Sequence, residues 1–70
     1  MSETNLDKKI INLINIYNSS DYNSAILLAN ELIEKKINES ILYNILGASL
    51  SSVNQHKQAI EAYNAAVLID

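Results

Sequence analysis

Tyr43-Asn44-Ile45-Leu46-Gly47-Ala48-Ser49-Leu50, followed by Ala59-Ile60 and Tyr63, is the stretch on which the fold of this 70-residue chain turns. Tyr43, Leu46, Gly47 and Leu50 recur at the spacing of one face of an α-helix. Gly47 lies inside that stripe, where it costs about 1 kcal/mol relative to Ala. Close approach of a second helix is the reason such a cost is kept. Ala25 and Ala59 are small for the same reason, while Tyr43, Leu50 and Tyr63 fill the space around the contact. The stretch predicts a helix over 40–53, a turn at Asn54-Gln55, and a helix over 56–69 with Ala59, Tyr63, Ala66 and Val67 turned inward.

The first half of the chain reads as a weaker copy. Leu6, Ile10, Leu13, Ile14 and Tyr17 form one stripe on a helix from about Asn5 to Asn18, after a frayed polar lead at residues 1–4. Asn18-Ser19-Ser20-Asp21 are short polar side chains that compete for backbone hydrogen bonds and favour a turn. A second helix then runs over 22–36, with Ala25, Ala29, Leu32 and Ile33 packed and Lys35 and Lys36 placed to favour its C-terminal dipole. Asn38-Glu39-Ser40 breaks the chain before the third helix. The breaks are short, so consecutive helices are antiparallel neighbours and no linker divides the chain.

Tyr22 and His56, Ala25 and Ala59, Asp21 and Gln55, and Leu13 and Gly47 all pair at one common offset. A single offset that serves several positions marks an internal repeat. The pattern of an aromatic, Leu-Gly, a large residue, then Ala and a later aromatic resembles the tetratricopeptide repeat (TPR) family, strongly in the second unit and moderately in the first. The offset also matches the period of that family. The resemblance implies an all-α fold of two antiparallel helical hairpins, residues 5–37 and 38–70, stacked as a short TPR solenoid.

The chain departs from the family in two ways. At the strict offset, Lys9 and Asn12 fall on the positions of Tyr43 and Leu46, which would bury a charge and an amide. Sliding helix one by a residue places Ile10, Leu13, Ile14 and Tyr17 there instead, at the cost of a shorter turn. That register is favoured; the strict one would turn Ile10, Ile14 and Tyr17 into an apolar groove. The family's Pro after each unit is replaced by Ile37 in the first, and the chain stops at Asp70 before the second. It reads as cut at a repeat boundary, from the N-terminal end of a longer array. Similar N-terminal repeats occur in bacterial TPR proteins that carry a transferase domain, so by analogy alone the activity of a parent protein could be enzymatic even if this piece is not.

Composition narrows the function classes. The net charge is −3, and the five basic residues (Lys8, Lys9, Lys35, Lys36 and Lys57) form no stripe for a phosphate backbone, which argues against nucleic acid. Without cysteine there is no thiolate chemistry. The start of the chain is polar and acidic where a secretory signal is basic then apolar, and no apolar run is long enough for a bilayer. The expected location is cytoplasmic.

Signals for chemistry are weak. His56 takes the place of Tyr22, an aromatic packing or helix-end position, and no Gly-flanked nucleophile accompanies it. Glu31 and Glu34 lie one turn apart on a solvated face and lack soft partners for a metal. Gly47 alone builds no phosphate loop. The expectation is no enzyme, no cofactor and no metal, but a protein-protein interaction scaffold.

The TPR resemblance implies a concave groove lined by the first helix of each hairpin. Turning away from the core stripe brings Ile41, Asn44, Ala48 and Ser51 to it, with Ile11, Asn15 and Asn18 from helix one. Amides there can donate to and accept from an extended peptide. The asparagine ladder of some TPR arrays does not carry over, since Ile45 precedes Leu46-Gly47, and the carboxylate clamp of others is equally unsupported. The alternative function is a self-assembling repeat module. Ala65-Ala66-Val67-Leu68-Ile69 is apolar nearly all round where arrays place a polar capping helix, and Tyr63, Val67 and Leu68 are the expected contact residues of a homo-oligomer.

Overall fold

The computed structural model describes the backbone of residues 2–69 and the side chains of residues 8–69. Four α-helices account for nearly all of it: α1 (Ser2–Asn18), α2 (Tyr22–Glu34), α3 (Ser40–Ser52) and α4 (His56–Ile69). No strand occurs among the described residues. Each helix packs on the next in the chain, and α3 also touches α1. Links of three to five residues between packed helices require the chain to reverse at each one.

Three of the expected boundaries shift. α1 begins at Ser2, so the polar lead from Ser2 to Thr4 is its first turn. Met1 and Asp70, and the side chain of Leu6, lie outside the described residues. α2 stops at Glu34, two residues early, and α3 at Ser52, one residue early.

A left-handed residue causes each stop. Ser20, Lys36 and Asn54 have φ of 67°, 67° and 69°. In the first link the amide of Asp21 donates to the carbonyl of Ile16 (3.3 Å) and that of Ser20 to Tyr17 (3.0 Å). In the second, Ile37 donates to Leu32 (3.4 Å) and Lys36 to Ile33 (2.9 Å); in the third, Gln55 donates to Leu50 (2.8 Å) and Asn54 to Ser51 (3.1 Å). These paired bonds are the Schellman closure, in which a left-handed residue lets two amides cap otherwise unpaired carbonyls. Ile37 packs against the core just past this cap. A proline there would lose the bond to Leu32.

The first and third links repeat each other at the offset found in the sequence: Ser20 with Asn54, Asp21 with Gln55, and the starts of α2 and α4 at Tyr22 and His56. Asp21 and Gln55 both accept the first helical bond through their carbonyls, from Ala25 and Ala59 at 3.0 Å each. Asp21 also accepts from the Ser24 amide through its side chain (3.3 Å), as a helix N-cap does. The shortened first turn that a slid helix one requires is therefore absent.

The core is built from Leu13 of α1, Ala25, Ala29 and Leu32 of α2, Leu42, Ile45, Leu46 and Leu50 of α3, and Ala59 and Ala62 of α4. α3 buries far more than the stripe of Tyr43, Leu46, Gly47 and Leu50: Leu42, Ile45 and Ser49 are also buried, while Tyr43 is half-buried. The reason is that α3 meets three other helices. Ser49 shows the same crowding, since its hydroxyl is buried with no partner, at a cost of about 1–3 kcal/mol.

In α4 the inward face is Ala59, Ala62 and Ala66. Val67 is exposed, which corrects its inward placement, and Tyr63 is part exposed. Tyr63 nevertheless closes over Gly47, where an added Cβ would lie 2.9 Å from its Cδ1 and Cε1. The ring thus occupies the space that the missing side chain leaves. Tyr17 and Tyr22 meet edge-to-face across the first link, with ring centroids 5.5 Å apart.

The radius of gyration is 11.4 Å, close to the ~11 Å of a compact domain of this length. The chain is thus no more extended than an ordinary small domain. No helix among the described residues is long and apolar enough to cross a membrane.

Lys36 is the costliest of the three left-handed residues, because Lys lacks the short polar side chain that eases this conformation. Lys36→Gly is expected to stabilise the fold by about 0.5–1 kcal/mol, read as a higher denaturant midpoint with an unchanged slope.

Candidate functional site

The surface predicted for an extended peptide lies on α1 and α3. Asn15 and Asn18 are exposed on α1 and Asn44 on α3; Ile11 and Ile41 are exposed beside them, and Ala48 and Ser51 are half-buried. The two helices make limited contact with each other. The amides of this face are therefore accessible but lie on two elements held together mainly through α2.

Burial along α1 separates the two registers. Leu13 is buried, Ile10, Ile14 and Tyr17 pack against the core from its edge, and Lys9 and Asn12 are exposed. Side-chain burial thus follows the slid pattern while the links keep the strict repeat period. Both hold because α1 is covered on fewer sides than α3. At the strict offset Lys8, Ile11, Asn12 and Asn15 correspond to Leu42, Ile45, Leu46 and Ser49, all four buried in α3 and all four exposed in α1. The polar residues that would have been costly inside stand on the uncovered side.

The opposite end of the molecule has the reverse character. Ala29 of α2 is buried, and Ile26 and Ile33 are half-buried, on a helix that packs on both α1 and α3. Their counterparts one repeat later are Ile60, Tyr63 and Val67, which are 60%, 40% and 73% exposed. Leu68, 87% exposed, stands where α2 carries the exposed Glu34. At 100° per residue these four side chains fall within less than half the circumference of α4. They make one apolar face, of which Tyr63, Val67 and Leu68 were expected from the sequence and Ile60 was missed. The offset to Ile26 was the signal that could have found it.

His56 is exposed at the first residue of α4 and fills no packing role. Glu31 pairs with Lys35 at 3.4 Å on an exposed helix surface, a contact worth a few tenths of a kcal/mol.

A further concavity, of about 550 Å³, lies between α2 and α4. Leu46 and Leu50 of α3 line it, while α2 and α4 make no contact of their own. This cleft was not expected from the sequence, where Leu46 and Leu50 read only as core. Comparison with known proteins finds no matching family, no similar curated protein and no matching solved structure.

Gly47 and Asn44 separate packing from surface on the same helix. Gly47→Leu is expected to lose about 1–3 kcal/mol through overpacking against Tyr63, and Asn44→Ala to change stability by less than about 0.5 kcal/mol. In a Tyr63→Ala background Gly47→Ala should gain about 1 kcal/mol from helix propensity alone, a gain the intact ring opposes. Denaturant melts of the four proteins in this cycle measure the coupling.

Proposed function

We propose that this chain is a protein-protein interaction module built from two TPR-like helical hairpins, with the outer face of α4 as a contact surface and no catalytic role. The observation that carries the reading is the burial difference at one offset: Ala29 is buried and Ile26 and Ile33 are half-buried on α2, which packs on α3, while Ile60, Tyr63 and Val67 are open. A helix placed on α4 as α3 is placed on α2 would cover them. In a stack of repeats each unit gains stability from such neighbour contacts, and the recurrence of the first link in the third, and of the start of α2 in that of α4, at that same offset supports treating the hairpins as repeats. The asparagines of α1 and α3 supply a second, polar surface for a peptide in the same reading, and a cytoplasmic location belongs with it.

The test extends the chain with another copy of residues 37–70 after Asp70. If the hairpins stack, the appended copy of α3 covers Ile60, Tyr63 and Val67, and the original half gains about 3 kcal/mol. Hydrogen exchange at the amides of α4 measures this. Unchanged exchange, with the added copy melting as a separate unit, would sink the proposal.

Self-assembly is a second reading, favoured by the exposure of Val67 and Leu68. A head-to-tail stack would press α4 against the Lys8, Asn12 and Asn15 side of another copy's α1 and strip those polar groups of water. A two-fold contact of α4 with its own counterpart avoids that cost. Sedimentation equilibrium over about a hundredfold concentration range is expected to show a dimer that Leu68→Glu disperses; a folded monomer throughout would refute this second reading alone.

A further inference from the structure

The cleft between α2 and α4 has a chemistry distinct from the apolar face of α4. Its apolar lining comes from Leu46 and Leu50 of α3, Ile26 and Leu27 of α2, and Ala62 of α4. Carboxamides come from both sides: Asn23 and Asn30 of α2, Gln55 in the last link, and Gln58 at the start of α4. Asn23 and Asn30 are two helical turns apart, about 10.5 Å of rise, which an extended chain spans in about three residues. Glu61 is the one charged residue lining the cleft, and it is exposed.

We infer that this cleft binds an extended peptide segment that places an aliphatic side chain over Leu46 and Leu50 and a neighbouring lysine or arginine beside Glu61. A carboxamide both donates and accepts, so amides on two walls can meet the N–H and C=O groups that an extended backbone leaves unpaired. A helical ligand has already paired those groups internally and offers the four amides no backbone partner. The carboxylate of Glu61, with no cation among the lining residues to offset it, selects a basic neighbour over an acidic one. This site shares no lining residue with Ile60, Tyr63, Val67 or Leu68, so it stands or falls apart from the stacking of hairpins.

The probe is the blocked tetrapeptide acetyl-Ala-Lys-Leu-Ala-amide, titrated into the isotope-labelled full chain and followed through side-chain amide resonances. Saturable shifts are expected at Asn23, Asn30, Gln55 and Gln58, with none at Asn15, Asn18 or Asn44. Glu61→Gln changes an exposed side chain and should weaken this peptide about twofold to fivefold, as for a solvent-exposed ion pair, while leaving the analogue with norleucine for lysine unchanged. Replacing the peptide's leucine by serine should weaken it about tenfold. The inference is overturned if the shifts centre on Asn15, Asn18 and Asn44, if an acidic peptide binds equally well, or if no shift saturates at concentrations on the order of 10 mM, about 3 kcal/mol of affinity.

Discussion

Among the described residues, α3 is the one helix that meets all three others. It touches α1, α2 and α4, so more than one narrow stripe must be apolar, and Leu42, Ile45, Leu46 and Leu50 are all buried. A helix so enclosed can be approached closely only where its side chains are small. Gly47 and Ser49 occupy such positions, and both carry a cost: lost helix propensity at the first and an unpartnered hydroxyl at the second. Tyr63 shows what the glycine permits, because its ring lies where a Cβ would be. Part of that ring stays exposed, so the contact closes the α3–α4 packing at its edge.

Chain reversal adds a second constraint. A helix that ends in a link of three to five residues must bring its last carbonyls and the next helix's first amides into a small space. Three Schellman closures do this with Ser20, Lys36 and Asn54 in the left-handed region that glycine ordinarily fills. The only glycine in the chain serves packing instead, at Gly47. Strain at the three links is therefore offset by packing on either side, as with Leu32 and Ile37 about the second.

Helix number, the start of α4 and the faces of α2 were legible in the sequence because turn residues and periodic apolar residues agreed there. The full burial of α3 was not, because a single-stripe reading suits a helix with solvent on one side, and Leu42, Ile45 and Ser49 lie off that stripe. Val67 was misplaced for a related reason. Ala65 to Ile69 is continuously apolar and so carries no period from which a direction can be read. The inward side is fixed instead by Ala59, Ala62 and Ala66, whose small size lets α4 lie close to α3. The candidate surfaces were legible in part: the asparagines of α1 and α3 are exposed as expected, but the cleft between α2 and α4 arises from helix placement, which no local pattern encodes.

The two registers weighed for α1 resolve into a distinction between backbone and surroundings. The backbone repeats at one fixed offset through the first and third links and the starts of α2 and α4, while side chains diverge wherever corresponding positions meet different neighbours. Where α3 has Leu42, Leu46 and Ser49 buried, α1 has Lys8, Asn12 and Asn15 in water; where α2 has Ala29 buried and Ile26 and Ile33 half-buried, α4 has Ile60, Tyr63 and Val67 open. An end with no helix over it keeps polar groups solvated at no desolvation cost, as α1 does. α4 is equally uncovered yet apolar, and each such side chain left in water forgoes about 1–2 kcal/mol that burial would return. The two uncovered faces thus differ in character, polar on α1 and apolar on α4.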